Sequence, residues 1–312
     1  MPPARDACQT GPTGHTSMTS VLGIPLQALL AQLLLGLVNG SFYALLSLGL
    51  AVIFGLLNVI NFSHGALYMM GAMLAWIGAE YFGLGYWPML LLAPLLIGAF
   101  GMLFERLLLR RLYGLDHLYG LLLTFGATLL IEGVFRSFFG SSGQPYPVPD
   151  LLRGATDLGF MVLPIYRAWV VAVSLVVCFA TWFVIERTPL GARLRAGTEN
   201  AALTKAFGVN VPLMITLTYG FGVGLAALAG VLAAPVLQVQ PLMGSNLIIV
   251  VFAVVVIGGM GSIAGSIVTG LLLGVVEGLT RVFYPQGSST VVFVVMAIVL
   301  LVRPSGLFGR EQ

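Results

Sequence analysis

The chain has 312 residues, of which 59% are hydrophobic and 8% charged, and 14 Lys plus Arg against 11 Asp plus Glu leave a formal net charge of +3. Soluble domains carry about 25% charged residues, so this chain cannot clothe a water-exposed surface, and a soluble enzyme is excluded. Disorder is excluded as well, because so apolar a chain collapses or partitions into lipid.

Residues 1–25 hold Pro, Gly and Thr and contain no apolar core of a cleaved signal before Val21. They read as a mobile extension, with Met18 as a candidate start. Residues 7–79 contain no Asp, Glu, Lys or Arg, and neither do residues 206–276. Crossing the hydrocarbon core takes about 20 apolar residues, so each desert holds several crossings. The chain therefore reads as an all-α polytopic membrane protein whose membrane domain covers 26–303, with a tail at 304–312.

Apolar runs and their breakers place candidate spans at 27–57, 64–82, 88–105, 118–139, 168–186, 213–235, 246–260, 264–283 and 288–302. The first is long enough to be one tilted helix or one broken near Asn39-Gly40. The pair at 246–283 is either two helices or one re-entrant unit turning at Gly258–Ser262. A bundle of eight to ten transmembrane helices is expected. Arg106, Arg110 and Arg111 form one basic cluster, Arg187, Arg193, Arg195 and Lys205 a second, and Arg303 with Arg310 a third. The positive-inside rule puts all three in the cytoplasm and the proline-rich loop 140–167 outside. Basic loops at a membrane face account for a pI near 9.0 without any nucleic acid.

The first desert ends in Asn58-Val-Ile-Asn61-Phe-Ser63-His64-Gly65. Four polar side chains interrupt an apolar run there. Broken backbone at membrane depth is tolerated only where protein buries it or where it lines a watery cavity, and an ionisable group in a span is a functional candidate. Asn58, Asn61, Ser63, His64 and Gly65 are thus pathway or gating candidates, against the plainer reading of an inter-helix turn in which Ser63 or Asn61 caps the second helix. Gly120, Thr124, Glu132, Gly133, Arg136 and Phe138 recur at the same spacing as Gly265, Thr269, Glu277, Gly278, Arg281 and Phe283. This echo is what gene-duplicated halves would leave, as transporters built from repeats do. It also sets Glu132 with Arg136, and Glu277 with Arg281, as i,i+4 ion pairs with the acid first. The 40 glycines fall partly on small-residue faces, Gly220-x-Gly222-x-Gly224 and Gly265-x4-Gly270-x3-Gly274-x3-Gly278 among them, which let helix backbones approach closely in lipid.

The longest cytoplasmic loop, 187–212, has a segment from Leu190 to Phe207 that fits an amphipathic helix ended by Gly208. Such a basic helix binds anionic lipid or a soluble partner. No nucleophile elbow, metal-protease His pair or Cys/His ligand spacing occurs, and Cys8 and Cys178 sit apart in a tail and a span. Neither an enzymatic centre nor a metal site is expected. Lys205, the only lysine, is followed by Ala206-Phe207, so there is no phosphate-binding Gly-x4-Gly-Lys-[Ser/Thr] loop. Uphill transport would draw on a partner or an ion gradient.

Four segments together resemble the LivH-type permeases of bacterial branched-chain amino-acid ABC transporters. They are 39–72, 187–210, 258–279 and Arg303-Pro-Ser-Gly-Leu-Phe-Gly309, and they occur in the family's order. The resemblance implies an inner-membrane translocation subunit without a cofactor of its own. ATP would be bound by two separate ATP-binding subunits, beside a second, LivM-type permease and an extracytoplasmic solute-binding protein. It also implies that 190–208 is the loop that docks on the ATPase. Gly191, Arg193, Arg195, Ala196, Ala202 and Gly208 are its candidate contact residues, although the full Glu-Ala-Ala-x3-Gly form is not reproduced. Urea, short amides or other small solutes remain alternative cargoes. An ATPase-independent secondary transporter or channel is the alternative from another class.

Overall fold

A computed structural model describes residues 20–21, 24–57 and 61–309. A short pairing of β1 (Ser20–Val21) with β2 (Ile24–Pro25) leads into α1 (Leu26–Leu57). Then follow α2 (Ser63–Phe82), α3 (Tyr86–Leu107), a 3-10 turn (Leu109–Leu112) and α4 (His117–Phe139). The 140–164 segment carries a hairpin of β3 (Ala155–Asp157) and β4 (Val162–Pro164). The second part consists of α5 (Ile165–Arg187), α6 (Pro189–Glu199), α7 (Ala201–Ala206), α8 (Val211–Ala233), α9 (Met243–Gly258), α10 (Ile263–Phe283) and α11 (Val291–Val302).

Each of the nine expected apolar runs forms a helix. Among the described residues, six stretches are both long and apolar enough to cross a membrane: within α1, from α3 through its 3-10 turn, and α4, α5, α8 and α10. The protein is thus all-α and multi-pass. Of the other three, α9 and α11 have only 16 and 12 residues, while α2 is long enough but carries Ser63, His64 and Glu80. The first run is one unbroken helix of 32 residues. Asn39-Gly40 does not break it because Gly40 lies against α10, where a Cβ would come within 2.9 Å of Leu271 O. The 246–283 pair is two helices. Gly259 (φ +97) and Gly261 (φ +83) turn the chain between them in the left-handed region that favours glycine.

Glycine decides which helices meet. Gly270, Gly274 and Gly278 of α10 face Ala44, Gly40 and Gly36 of α1 in reverse order, so the two helices run antiparallel with backbones touching. The pairing of α3 with α8 is similar, Gly98 and Gly101 lying on Gly220 and Val223. Several contacts are reciprocal. A Cβ on Gly49 would meet Gly222 O at 2.6 Å and one on Gly222 would meet Gly49 O at 2.7 Å. Gly65 and Gly244 face each other's carbonyls in the same way.

Packing therefore sets α1 against α8 and α10, α2 against α8 and α9, and α3 against α8. It does not follow the sequence echo, which aligns α4 with α10. α10 is embedded along α1, whereas α4 lies at the rim beside α2, through Phe62 N donating to Thr124 Oγ1 at 3.2 Å and a Trp76–Phe139 edge contact. Thr124 and Thr269 are both buried, as are Glu132 and Glu277, but the two carboxylates have different partners.

Between α4 and α5, the 140–164 segment is tied to the α8–α9 connection by two backbone bonds between Gln144 and Val239, at 2.8 and 2.9 Å. Beneath it, Tyr166 Oη donates to Leu232 O at 2.9 Å and Trp169 Nε1 to Tyr86 Oη at 3.2 Å. Aromatic residues with polar tips are the expected lining of a membrane–water boundary.

Candidate functional site

The polar α1–α2 junction is folded inside the protein. Asn58 lies outside the described residues. Asn61, Ser63 and His64 are each no more than 1% exposed. Asn61 Nδ2 donates to Tyr219 Oη at 3.0 Å, and Ser63 Oγ donates to Asn61 Oδ1 at 2.6 Å. Neither side chain caps α2, whose N-cap is Phe62 without a side-chain bond. The Ser63 hydroxyl is used by Asn61 instead. His64 Nε2 stands 3.0 Å from Leu46 O, and since a carbonyl only accepts, that nitrogen carries the proton. His64 Nδ1 has no partner. Gly65 gives α2 its close approach to α9. In this state the four residues join α1, α2, α8 and α9 rather than facing open space.

The 187–212 loop differs from the single helix expected over 190–207. Asn200 adopts an extended conformation (φ −148) and its side chain accepts from Leu203 N at 2.9 Å, so α6 ends and α7 starts there. An Asx cap of this kind competes with helix continuation. Gly208, at φ +82, ends α7 in the left-handed conformation. Gly191 is buried against the Ile185 carbonyl, where any Cβ would collide. Arg195 Nη1 donates to that same carbonyl and to Glu186 Oε2, both at 3.2 Å. Ala196 O accepts from Thr204 Oγ1 at 2.9 Å, folding α7 back on α6. Gly197 rests on Met214 and Val211 at the base of α8. Arg193 and Ala202 are exposed, as are Leu190 (57%), Leu203 (55%) and Phe207 (80%). The loop is bonded and packed to α5 and α8 and leaves apolar and basic side chains exposed.

The two expected ion pairs diverge. Arg281 Nη2 donates to Glu277 Oε1 at 2.5 Å, and Glu277 Oε2 accepts from Tyr43 Oη at 2.7 Å. Glu132 does not pair with Arg136. Its buried carboxylate accepts from Ser245 Oγ on α9, while Arg136 is exposed. The i,i+4 spacing permits a pair, but the acid is turned inward and the guanidinium outward.

One buried acid escapes the sequence reading altogether. Glu105, in the last turn of α3, is fully buried. Its Oε1 accepts from Tyr113 Oη at 2.8 Å and its Oε2 from Thr216 Oγ1 at 2.6 Å. Burial first, and then the bond to Glu105, push the Tyr113 phenol well above its usual range, so it remains a donor. The visible cue in sequence is an acid inside an apolar helix just before a basic cluster, and that cue looks the same for an exposed helix end. Among the described residues no three His, Cys, Asp or Glu side chains converge as a metal site.

Six helices long and apolar enough to span, four of them (α1, α3, α8 and α10) meeting through glycine faces, define a multi-pass membrane protein. Residues 32–302 match the model of the branched-chain amino acid transport system/permease component family. The chain belongs to that family. The high-affinity branched-chain amino acid transport system permease protein BraD of Pseudomonas aeruginosa is 33% identical over 298 residues, covering 91% of this chain and 96% of BraD. The permease LivH of Escherichia coli is 29% identical over 300 residues, with the same coverage of 91% and 96%. The Escherichia coli permease LivM is 31% identical over 296 residues, covering 86% of this chain and 68% of LivM. No solved structure gives a significant match.

Proposed function

We propose that this chain is the translocation subunit of a bacterial inner-membrane ABC importer for branched-chain amino acids. An extracytoplasmic solute-binding protein delivers the solute, a second LivM-type permease completes the pathway, and two ATP-binding subunits supply the energy. The chain itself is not an enzyme and needs no cofactor beyond the ATP on those subunits. In this reading α2, α9 and α11 complete the crossing elements, which brings the total into the range of eight to ten.

The α6–α7 loop carries the proposal. Leu190, Leu203 and Phe207 are exposed there beside Arg193 and Lys205, on helices pinned to α5 and α8. An exposed apolar cluster with basic neighbours on a rigid support fits a protein partner. Similarity to both LivH and LivM supports a pair of related permeases around one pathway. Closure of the ATP-binding subunits would draw the α6–α7 loops together. The glycine-faced bundle would then rock between outward- and inward-open arrangements, each of which must bind solute and nucleotide state differently.

The test is co-purification with the ATP-binding subunits, followed by uptake of labelled leucine. Phe207→Asp together with Arg193→Glu is expected to release those subunits and abolish ATP-dependent uptake. Full retention of both would overturn the docking assignment.

A further inference from the structure

We propose that Glu105 is the positioning residue that carries displacement of the α6–α7 loop to the α1–α2 junction. The inference rests on the importer reading above and assigns one route of transmission within it.

The contacts form a short ladder on α8. At its base Gly197 of α6 sits on Val211 and Met214, and Asn210 Oδ1 caps the helix by accepting from Leu213 N at 3.2 Å. The next rung is Thr216, whose hydroxyl donates to Glu105 at 2.6 Å. Above it, Tyr219 Oη accepts from Asn61 Nδ2 at 3.0 Å. From Val211 to Tyr219 is about 12 Å at 1.5 Å per residue. Within that length α8 is attached to the cytoplasmic loop, to the end of α3 and to the break between α1 and α2.

Glu105 is the unusual rung. The ion pairs among the described residues are Asp150–Arg153, Glu186–Arg195 and Glu277–Arg281, so this fully buried carboxylate has hydroxyl donors and no cation. A buried acid of this kind is costly unless it is well hydrogen-bonded. A leucine would hold α3 against α8 more cheaply, but its contact would be non-directional. The carboxylate, with one oxygen for Tyr113 and the other for Thr216, fixes the angle between α3, the turn after it and α8. With that angle fixed, a push on the base of α8 moves α3 and Tyr219 as one body. Without it, α8 can slide or turn on α3, and Tyr219 no longer meets Asn61 in a fixed register.

The readout is ATP hydrolysed per solute imported, measured on the assembled complex in proteoliposomes with its binding protein. Glu105→Leu is expected to raise that ratio by about tenfold, in the range typical of a lost coupling interaction, with subunit association intact. Glu105→Gln keeps an oxygen acceptor and should stay near the wild-type ratio. Thr216→Val and Tyr219→Phe remove single hydroxyls with little change in shape and should each raise the ratio, so a poorly assembling Glu105→Leu does not remove the test. An unchanged ratio in Thr216→Val and Tyr219→Phe, or a parallel fall of uptake and hydrolysis in all variants, would overturn the assignment. If the wild-type complex shows no ATP-dependent uptake at all, the importer reading fails instead.

Discussion

At the scale of single residues, burial separates groups that look alike in sequence. Glu105, Glu132 and Glu277 are all acids at or near helix ends, yet each is buried and each is satisfied differently: by two hydroxyls, by Ser245, and by Tyr43 with Arg281. His64 has one bond, to Leu46 O, and sits where Gly49 leaves space for its ring. We therefore expect His64→Ala to weaken the folded protein by about 1–3 kcal/mol, the usual range for a lost buried partner, with uptake falling in step with abundance. A well-folded His64→Ala that cannot transport would instead assign the imidazole to transport itself. Glycines divide in the same way. Gly270 has Ala44 Cα within 2.6 Å of an added Cβ, while Gly133 has nothing within 4 Å. Gly270→Leu should lower thermal stability by about 1–3 kcal/mol or more, as overpacking does, and Gly133→Ala should leave it unchanged. Thermal unfolding of the detergent-purified protein, followed by size-exclusion fluorescence, distinguishes them.

At the scale of elements, periodicity and apolar length were the readable part. Each of the nine apolar runs became a helix because an apolar segment in lipid must satisfy its own backbone, and a helix does so within one segment. Less readable were features set by a single local competition or by a distant contact. Asn200 splits the expected 190–207 helix because its side chain offers Leu203 N an alternative partner. The orientation of Glu132 depends on Ser245, more than a hundred residues away, and no i,i+4 rule contains that information. The buried state of Asn61 and Ser63 depends likewise on Tyr219 and on the facing glycines of α2 and α9. Loss of the Asn200 cap should cost about 1 kcal/mol. Asn200→Ala is therefore expected to lengthen α6 into α7 and shift Leu203 and Phe207 off their present face. Spin labels at Leu190 and Leu203 would report a changed separation, and an unchanged one would show that the Thr204–Ala196 bond alone sets the fold-back.

At the scale of the whole molecule, the scarcity of charge distinguishes lipid-facing from partner-facing surface. α3, α4 and α5 turn most of their apolar residues outward, while α1 and α8 are buried in the middle. Charge returns between the apolar runs, at 105–116 and again on the loop from Arg187 to Lys205. That loop is braced behind by Gly191, Arg195 and Gly197 and is open in front. In the importer reading, the energy of ATP hydrolysed on separate subunits reaches the bundle through this loop. The most direct measurement is labelled leucine uptake into proteoliposomes holding this chain, its partner permease and the binding protein, with and without the ATP-binding subunits. Uptake that needs those subunits and is lost when Phe207→Asp detaches them is the expected result. Uptake that proceeds equally well without them would contradict it.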